Sequence, residues 1–388
     1  MLASAPVDPG LYVHVPFCSA VCPYCDFAVM VGGERRRQLF VEVLSREIAL
    51  RAATVSSWRF DTLYFGGGTP SALAPERLAE ILRELRGVFS FAAGHRTFFE
   101  ANPEDVTEES LAAWRELGVD TLSLGVQSFD PEALSFLGRR HGPEVARRSV
   151  ERAVEAGFRT VSVDLIFGLE GQTEERWRRD LETAVALAPQ HVSCYQLTIH
   201  RGTPFARRQA AGTLREMEEG EQARLFALTH EVLSAGAFEA YEVSNFARGP
   251  EHRSAHNRKY WDHTPYLGLG PSAHSFDGRR RSWNERRLSP WRGHIERGEI
   301  PEAGHEELAL AELALERLML ALRTPAGLDL GDFERRYGVD LAAANGPRFA
   351  AWMEEGLIRD EPGRLAPTRA GLAVADGLVR EIELPSVP

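Results

Sequence analysis

A membrane-spanning run, a disulfide framework and a basic face are all missing from this chain of 388 residues. No apolar stretch approaches the roughly 20 residues that a helical span needs, and the most apolar helical segment, 307–322, is repeatedly interrupted by acids. Residues 1–10 lack the basic start and apolar centre of a secretory signal, so the expected compartment is the cytoplasm. Four cysteines are too few to staple a chain of this length, and in such a compartment closely spaced ones read as metal ligands. The formal charge of -11 argues against nucleic acid as a partner, because phosphate binding depends on clustered cations. Lys259 is the single lysine, so arginine carries nearly all the positive charge.

What is present is concentrated near the start. Cys18, Cys22 and Cys25 form a CxxxCxxC triplet within HVPFCSAVCPYCDF. Three soft ligands in one loop point to an iron–sulfur site. The spacing does not fit the paired CxxC or HxxxH patterns of structural zinc. A three-cysteine [4Fe–4S] cluster leaves one iron open, which is what S-adenosylmethionine (SAM) needs to chelate through its amine and carboxylate. Cys194, in VSCYQLT, is remote from the triplet and reads as a small core residue.

Short β-rich runs alternate with amphipathic stretches through the first two hundred residues. Strands are expected at 11–15, 62–65, 97–100, 121–124, 161–166 and 191–197, with helices at 36–52, 75–88, 107–117, 143–156 and 174–187. Six βα repeats imply a parallel sheet with right-handed crossovers, and the fold class is α/β with a partial (β/α)6 barrel. Polar or glycine-rich residues follow most of the strands, so they should converge at one mouth. After a helix over 216–235 comes a stretch rich in His, Asn, Tyr and Trp, expected to be irregular over 241–276. The tail reads as a smaller, mainly helical, winged-helix-like domain with a hairpin over 356–365. Its 16 acids against nine arginines make a packed accessory role the expectation, not DNA binding. The expected division is 1–240 for the barrel, 241–300 for a connecting segment and 301–388 for the accessory domain.

The segments LYVHVPFCSAVCPYCDF, YFGGGTP, EANPE, GVQSF, DLIFGL and HNRKYW together resemble the oxygen-independent coproporphyrinogen oxidase-like family of radical SAM proteins, and within it the heme-chaperone branch. The resemblance implies a C-terminal domain of that family's type in the tail, and that Cys18, Cys22 and Cys25 hold the cluster, with Tyr24 and Phe27 packed around the sulfurs against water. It implies that Gly67, Gly68 and Thr69 receive the SAM amino group, that Glu100 accepts the ribose hydroxyls, and that Gln127 and Arg139 lie near the methionine carboxylate, where a guanidinium fork is apt. Asp164 is implied as another SAM contact and Tyr12 as a contact on the cofactor side. Glycines without side chains also let backbone approach a ligand closely. His256 of HNRKYW is the implied heme contact, because imidazole is a normal axial ligand and Tyr260 and Trp261 can pack on a macrocycle. His274 and His14 are rival ligands.

Two functions follow. A heme chaperone would bind heme and deliver it to hemoproteins such as respiratory enzymes. An oxidase would decarboxylate the propionates of coproporphyrinogen III in porphyrin biosynthesis, using SAM cleavage, for which the core is equipped. Phe27 stands where the oxidases resemble CxxxCxxCxC, which favours the chaperone. A radical SAM methyltransferase needs extra catalytic cysteines, and Cys194 is the only spare. The implied partners are heme or porphyrin, a recipient hemoprotein that could bring peripheral membrane contact, and an electron donor for the cluster. A cluster-dependent dimer is the assembly to test.

Overall fold

The segment Thr160–Phe167, TVSVDLIF, is almost wholly buried, as a central strand of a parallel sheet covered on both faces should be. It is one of six such strands in a computed structural model that describes residues 8–385. They are β1 (Gly10–Val15), β2 (Arg59–Gly67), β3 (Ser90–Ala101), β4 (Thr121–Gln127), β5 (Thr160–Phe167) and β6 (His191–Gln196). Each pairs in parallel with the next in chain order. All six expected strands are therefore found, one to seven residues longer at their starts than the pattern indicated, except for β4 and β6, which begin as expected.

The crossovers are helices with one apolar face. Pro75–Val88 buries Leu78, Ile81, Leu82 and Leu85, a one-sided stripe at helical spacing that packs toward the sheet. Proline at the first turn opens this helix and Pro143–Glu155, where its missing N–H costs nothing. Thr107 and Thr173 cap Glu108–Glu116 and Glu174–Ala186 by accepting backbone N–H bonds.

Residues 241–276, expected to be irregular, are not. Together with their neighbours they form β7 (Glu239–Ala240), β8 (Asn245–Ala247), the helix Ala255–Trp261, β9 (Tyr266–Leu269) and β10 (His274–Phe276), followed by β11 (Arg280–Asn284) and β12 (Glu302–Glu307). These extend the sheet at both edges, giving the order β12-β11-β10-β9-β1-β2-β3-β4-β5-β6-β8-β7. Strands of two to six residues, broken by glycines such as Gly270 and Gly278, are too short to show a period of two.

The β9–β11 extension is locked to the barrel by a buried carboxyl. Glu47, fully buried on the helix Glu34–Arg51, accepts from the Gly270 amide (2.8 Å), Asn284 Nδ2 (2.6 Å) and Trp291 Nε1 (3.0 Å). Burial pushes its carboxyl up, while the three donors and nearby Arg51 favour the charged form.

The tail has its own core around Leu318, Leu322, Phe333 and Trp352. Its helices are Leu310–Leu322, Leu330–Tyr337, Leu341–Glu354, Arg369–Ala373 and Ala375–Glu381. The expected hairpin reduces to a single bridge between Ile358 and Pro367, and Arg364–Leu365 pairs instead with Leu328–Asp329.

Candidate functional site

The parallel pairing of Phe17–Cys18 with Met30–Val31 pinches the residues between them into a closed loop at the carboxyl end of β1. Cys18, Cys22 and Cys25 are free thiols on that loop, half-buried, and all three face one cavity of about 470 Å³. Strands β2 to β6 supply much of its wall, including Tyr64, Glu100, Ser123, Asp164 and Ser193. Gly67, Gly68, Thr69, Gln127 and Arg139 line it as well. Residues as far apart in the chain as Cys18 and Ser193 thus meet at the strand ends.

A ring of polar contacts ties the cysteines to that wall. Thr69 Oγ1 donates to Cys18 Sγ (3.5 Å), and Asn102 Nδ2 donates to Thr69 Oγ1 (3.2 Å). Arg139 closes the ring, donating from Nη2 to Asn102 Oδ1 and the Gly125 carbonyl (both 2.8 Å) and from Nη1 to Cys22 Sγ (3.5 Å). Asn102 was not singled out from the sequence. The signal for it existed, since Asn102 lies two residues past Glu100 and so on the same strand face or its continuation.

Among the described residues no three His, Cys, Asp or Glu side chains converge on the position of a single metal ion. A cubane places a different iron at each thiolate, so three separated thiols around an open cavity fit a cluster and not a mononuclear ion. Burial pushes the Cys18 thiol up and that of Cys25 up to about 11, so cluster binding must release protons. Arg139 Nε is buried without a hydrogen-bond partner, an unmet donor on a residue that lines the cavity.

Glu100 accepts from Tyr64 Oη at 2.7 Å. Burial, reinforced by Asp164, pushes its carboxyl up to about 7 against the pull of that hydrogen bond. Asp164 accepts from Ser123 Oγ (2.9 Å), and burial raises it too. Gln127 has a positive φ of 67°, where the β4–β5 register slips, and this unusual backbone aims a polar residue at the cavity.

The three glycines serve protein packing more than ligand approach. A Cβ on Gly66 would lie 2.8 Å from the Tyr64 ring, on Gly67 2.4 Å from His14 Nδ1, and on Gly68 2.7 Å from the Phe17 carbonyl. They let β2 turn tightly against the cluster loop.

Four expectations are placed differently. Phe27 borders the cavity with the three cysteines but is 65% exposed and does not close it against water, because the chain doubles back there with Val29 N bonded to the Phe27 carbonyl (2.9 Å). Tyr24 does turn inward, against Phe205. Tyr12 stands outside the cavity wall, stacked behind Tyr64 with ring centroids 6.0 Å apart. His256 is fully buried at the opposite, amino-terminal end of the strands, with Nδ1 2.9 Å from Thr62 Oγ1 and Nε2 2.9 Å from Tyr260 Oη. β1 runs roughly 17 Å from that end to the cluster loop, at about 3.3 Å per residue. Burial lowers the His256 ring to about 3, so it is neutral. His14 is likewise occupied on both nitrogens, by Tyr12 Oη (3.3 Å) and the Ala28 carbonyl (2.9 Å). His274, on edge strand β10, is exposed beside Trp283.

Cys194 is buried in the main core, as expected. Lys259 is an anchor: it pairs with Asp61 Oδ1 (2.7 Å) and donates to the Asp8 carbonyl (2.6 Å).

A six-stranded parallel barrel with a three-cysteine loop at its mouth defines a radical SAM protein, and residues 12–184 match the Radical SAM superfamily. Residues 308–374 match the HemN C-terminal domain. The chain is 36% identical to the heme chaperone HemW of Mycobacterium tuberculosis (strain H37Rv), covering 98% of this chain and 96% of that one. The HemW of Bacillus subtilis (strain 168) is 32% identical over 93% and 95% of the two chains. A bovine mitochondrial protein named radical S-adenosyl methionine domain-containing protein 1 is 33% identical over 95% and 86%. This protein belongs to the HemW family of radical SAM proteins. Its fold is that of the coproporphyrinogen III oxidase HemN of Escherichia coli, with a TM-score of 0.84 over 97% of this chain and 90% of that one at 23% identity.

Proposed function

We propose that this protein is a heme chaperone of the cytoplasm, which binds heme and delivers it to hemoproteins such as respiratory enzymes. The observation that carries this reading is the nearly end-to-end likeness to proteins named heme chaperone. Phe27 in place of a further cysteine agrees with it. The reading divides the chain into a barrel over 1–240, a connecting segment over 241–300 and an accessory domain over 301–388. No described helix is long and apolar enough to cross a membrane, so a membrane-bound recipient would be met from the surface.

In this reading Cys18, Cys22 and Cys25 hold a [4Fe–4S] cluster whose fourth iron takes SAM. That group supplies one-electron chemistry when bound. Arg139 and Gln127 orient the SAM carboxylate, Thr69 and the Gly67–Gly68 turn border its amino group, and Glu100 and Asp164 accept hydroxyls from within the barrel. Of the three histidines considered for heme iron, His256 and His14 have both nitrogens engaged in protein hydrogen bonds. We therefore give the axial role to His274, with Trp283 as an aromatic wall, and leave His256 to hold the floor of the barrel.

The test adds heme to purified, cluster-loaded protein and, separately, coproporphyrinogen III with SAM and a reductant. Stoichiometric heme binding that survives gel filtration, without formation of protoporphyrinogen, is expected. Rapid turnover to protoporphyrinogen would replace the chaperone by the oxidase. Sedimentation with and without the cluster tests the cluster-dependent dimer.

A further inference from the structure

Asp164 sits in a collar of three serines. Ser123 Oγ donates to its Oδ2 (2.9 Å) and Ser162 Oγ to its Oδ1 (3.5 Å), while Ser193, its register partner on β6, supplies a third hydroxyl. Ser162 and Asp164 are two residues apart on β5 and so share one face. Glu100, the other carboxyl of the wall, takes one hydroxyl, from Tyr64, and one backbone amide, from Gly67. Donors aimed at a carboxylate favour its charged form, so the collar makes Asp164 the better-held anion of the two.

Behind Ser162 the hydrogen bonds continue to the start of β6 and beyond in a fixed order. Ser162 Oγ lies 2.7 Å from His191 Nδ1, His191 Nε2 lies 2.7 Å from Tyr241 Oη, and Tyr241 Oη accepts from the Ser254 amide (3.1 Å). The phenol proton of Tyr241 has no other acceptor in reach among the described residues, so it goes to His191 Nε2. His191 is buried, and burial lowers its ring to about 3, so the ring is neutral and carries a single proton. With Nε2 accepting, that proton is on Nδ1 and points at Ser162. Ser162 receives it and keeps its own hydroxyl for Asp164. Every donor in the row is thereby aimed at one carboxylate, and donors in such a row strengthen one another.

We infer that His191 is a positioning residue of the cavity: with Tyr241 fixing its proton on Nδ1, it turns Ser162 toward Asp164 and holds Asp164 as the constant carboxylate of the site, leaving the exchangeable proton on Glu100. The charge on Asp164 is in turn one cause of the high proton affinity of Glu100. The other titratable groups facing Asp164 are Tyr64 on β2 and Cys194 and Tyr195 on β6, whose ordinary values already keep them protonated at neutral pH. His252 and Arg96 lie beyond His191. Only the naming of the ligand as SAM rests on the proposed function; the carboxyl pair and its supports do not.

The test reads the carboxyl groups by infrared difference spectroscopy of the full, cluster-loaded chain over a pH series without SAM. The protonated-carboxyl band lost in Glu100→Gln belongs to Glu100, and that lost in Asp164→Asn belongs to Asp164. In wild type the Glu100 band should titrate near 7, and the Asp164 band should appear only in more acid solution. In Ser162→Ala and in His191→Leu, Asp164 should take up its proton about one pH unit higher. His191→Asn, whose amide can stand in for the Nδ1 donor, should restore most of the wild-type value, and Tyr241→Phe should move it upward by less than His191→Leu. Should His191→Leu fail to fold, Ser162→Ala and Tyr241→Phe decide the matter. An Asp164 midpoint unmoved in these variants would overturn the inference, as would a wild type in which Asp164 holds its proton to higher pH than Glu100. Added SAM should remove the Glu100 band as that proton leaves. Bands indifferent to SAM would overturn the SAM assignment alone.

Discussion

Arg139 Nη1 lies 3.5 Å from Cys22 Sγ, across 117 residues of sequence, and the same guanidinium holds Asn102 at 2.8 Å. One cation therefore touches the cysteine loop and the polar ring while lining the cavity, and in the proposed assignment it orients the SAM carboxylate. Arg139→Lys keeps the charge but loses the planar fork. It should leave cluster absorbance largely intact and weaken SAM binding about 10- to 100-fold, the usual cost of disturbing residues that support a metal site. SAM titration followed by the electron paramagnetic resonance of the reduced cluster reads this. Unchanged affinity would remove Arg139 from the SAM site.

The ligand set predicts a sharp contrast among the four cysteines. Replacing Cys18, Cys22 or Cys25 by Ala should abolish the visible absorbance of the reconstituted protein. Cys194→Ala should preserve it, because that thiol is buried in the core on β6. Loss of the cluster in Cys194→Ala would show the assignment to be wrong.

Under the proposed assignment, Glu100 links SAM binding to pH. Its carboxyl is raised to about 7 by burial and by Asp164, above its value in the unfolded chain. The folded state therefore binds the extra proton, and this contribution to stability is full below about pH 4 and is lost as pH rises through 7. A ligand whose hydroxyls donate to the ionised carboxylate should bind roughly tenfold tighter per pH unit between 5 and 7, then level off. Glu100→Gln should bind more weakly and lose that slope. Isothermal titration at several pH values decides it, and the same slope in both proteins would sink the assignment.

Gly68→Ala tests the role of the glycine turn. The added methyl would meet the Phe17 and Val15 carbonyls at 2.7 and 2.8 Å, which are backbone atoms that cannot swing away. A loss of about 1–3 kcal/mol in stability is expected from such overpacking, with poorer cluster loading because Phe17 adjoins Cys18. Denaturant melts paired with iron analysis would show it. A variant as stable as wild type would mean the turn can open.

His256→Ala should behave as a structural lesion. It leaves the hydroxyls of Thr62 and Tyr260 without their buried partner, at a cost of about 2–5 kcal/mol. The folded fraction should still bind heme with an unaltered Soret band, whereas His274→Ala should shift it. The reverse pattern would restore His256 as the ligand.

Much of this was legible in the chain. Strands β1 to β6 and their helices follow from apolar periodicity, because each buries its own face against its sequence neighbour. The cysteine loop was legible because its three thiols sit within eight residues. The fate of HNRKYW was not. A histidine between aromatics reads equally well as a ligand or as a strut, and only its partner Thr62, 194 positions away, separates the two. The exposure of Phe27 was hidden for the same reason: an apolar residue beside thiols has no direction until the turn at Val29 is known.

By itself the sequence determined the parallel α/β core, the three-cysteine loop and the family, since these depend on local spacing and order. Tertiary structure alone decided which polar groups meet: the ring through Asn102 and Arg139, the seating of His256 at the floor, and the row from Tyr241 through His191 to Ser162. Hydrogen bonds and charge act over a few ångströms in space, and separation along the chain carries no record of those distances.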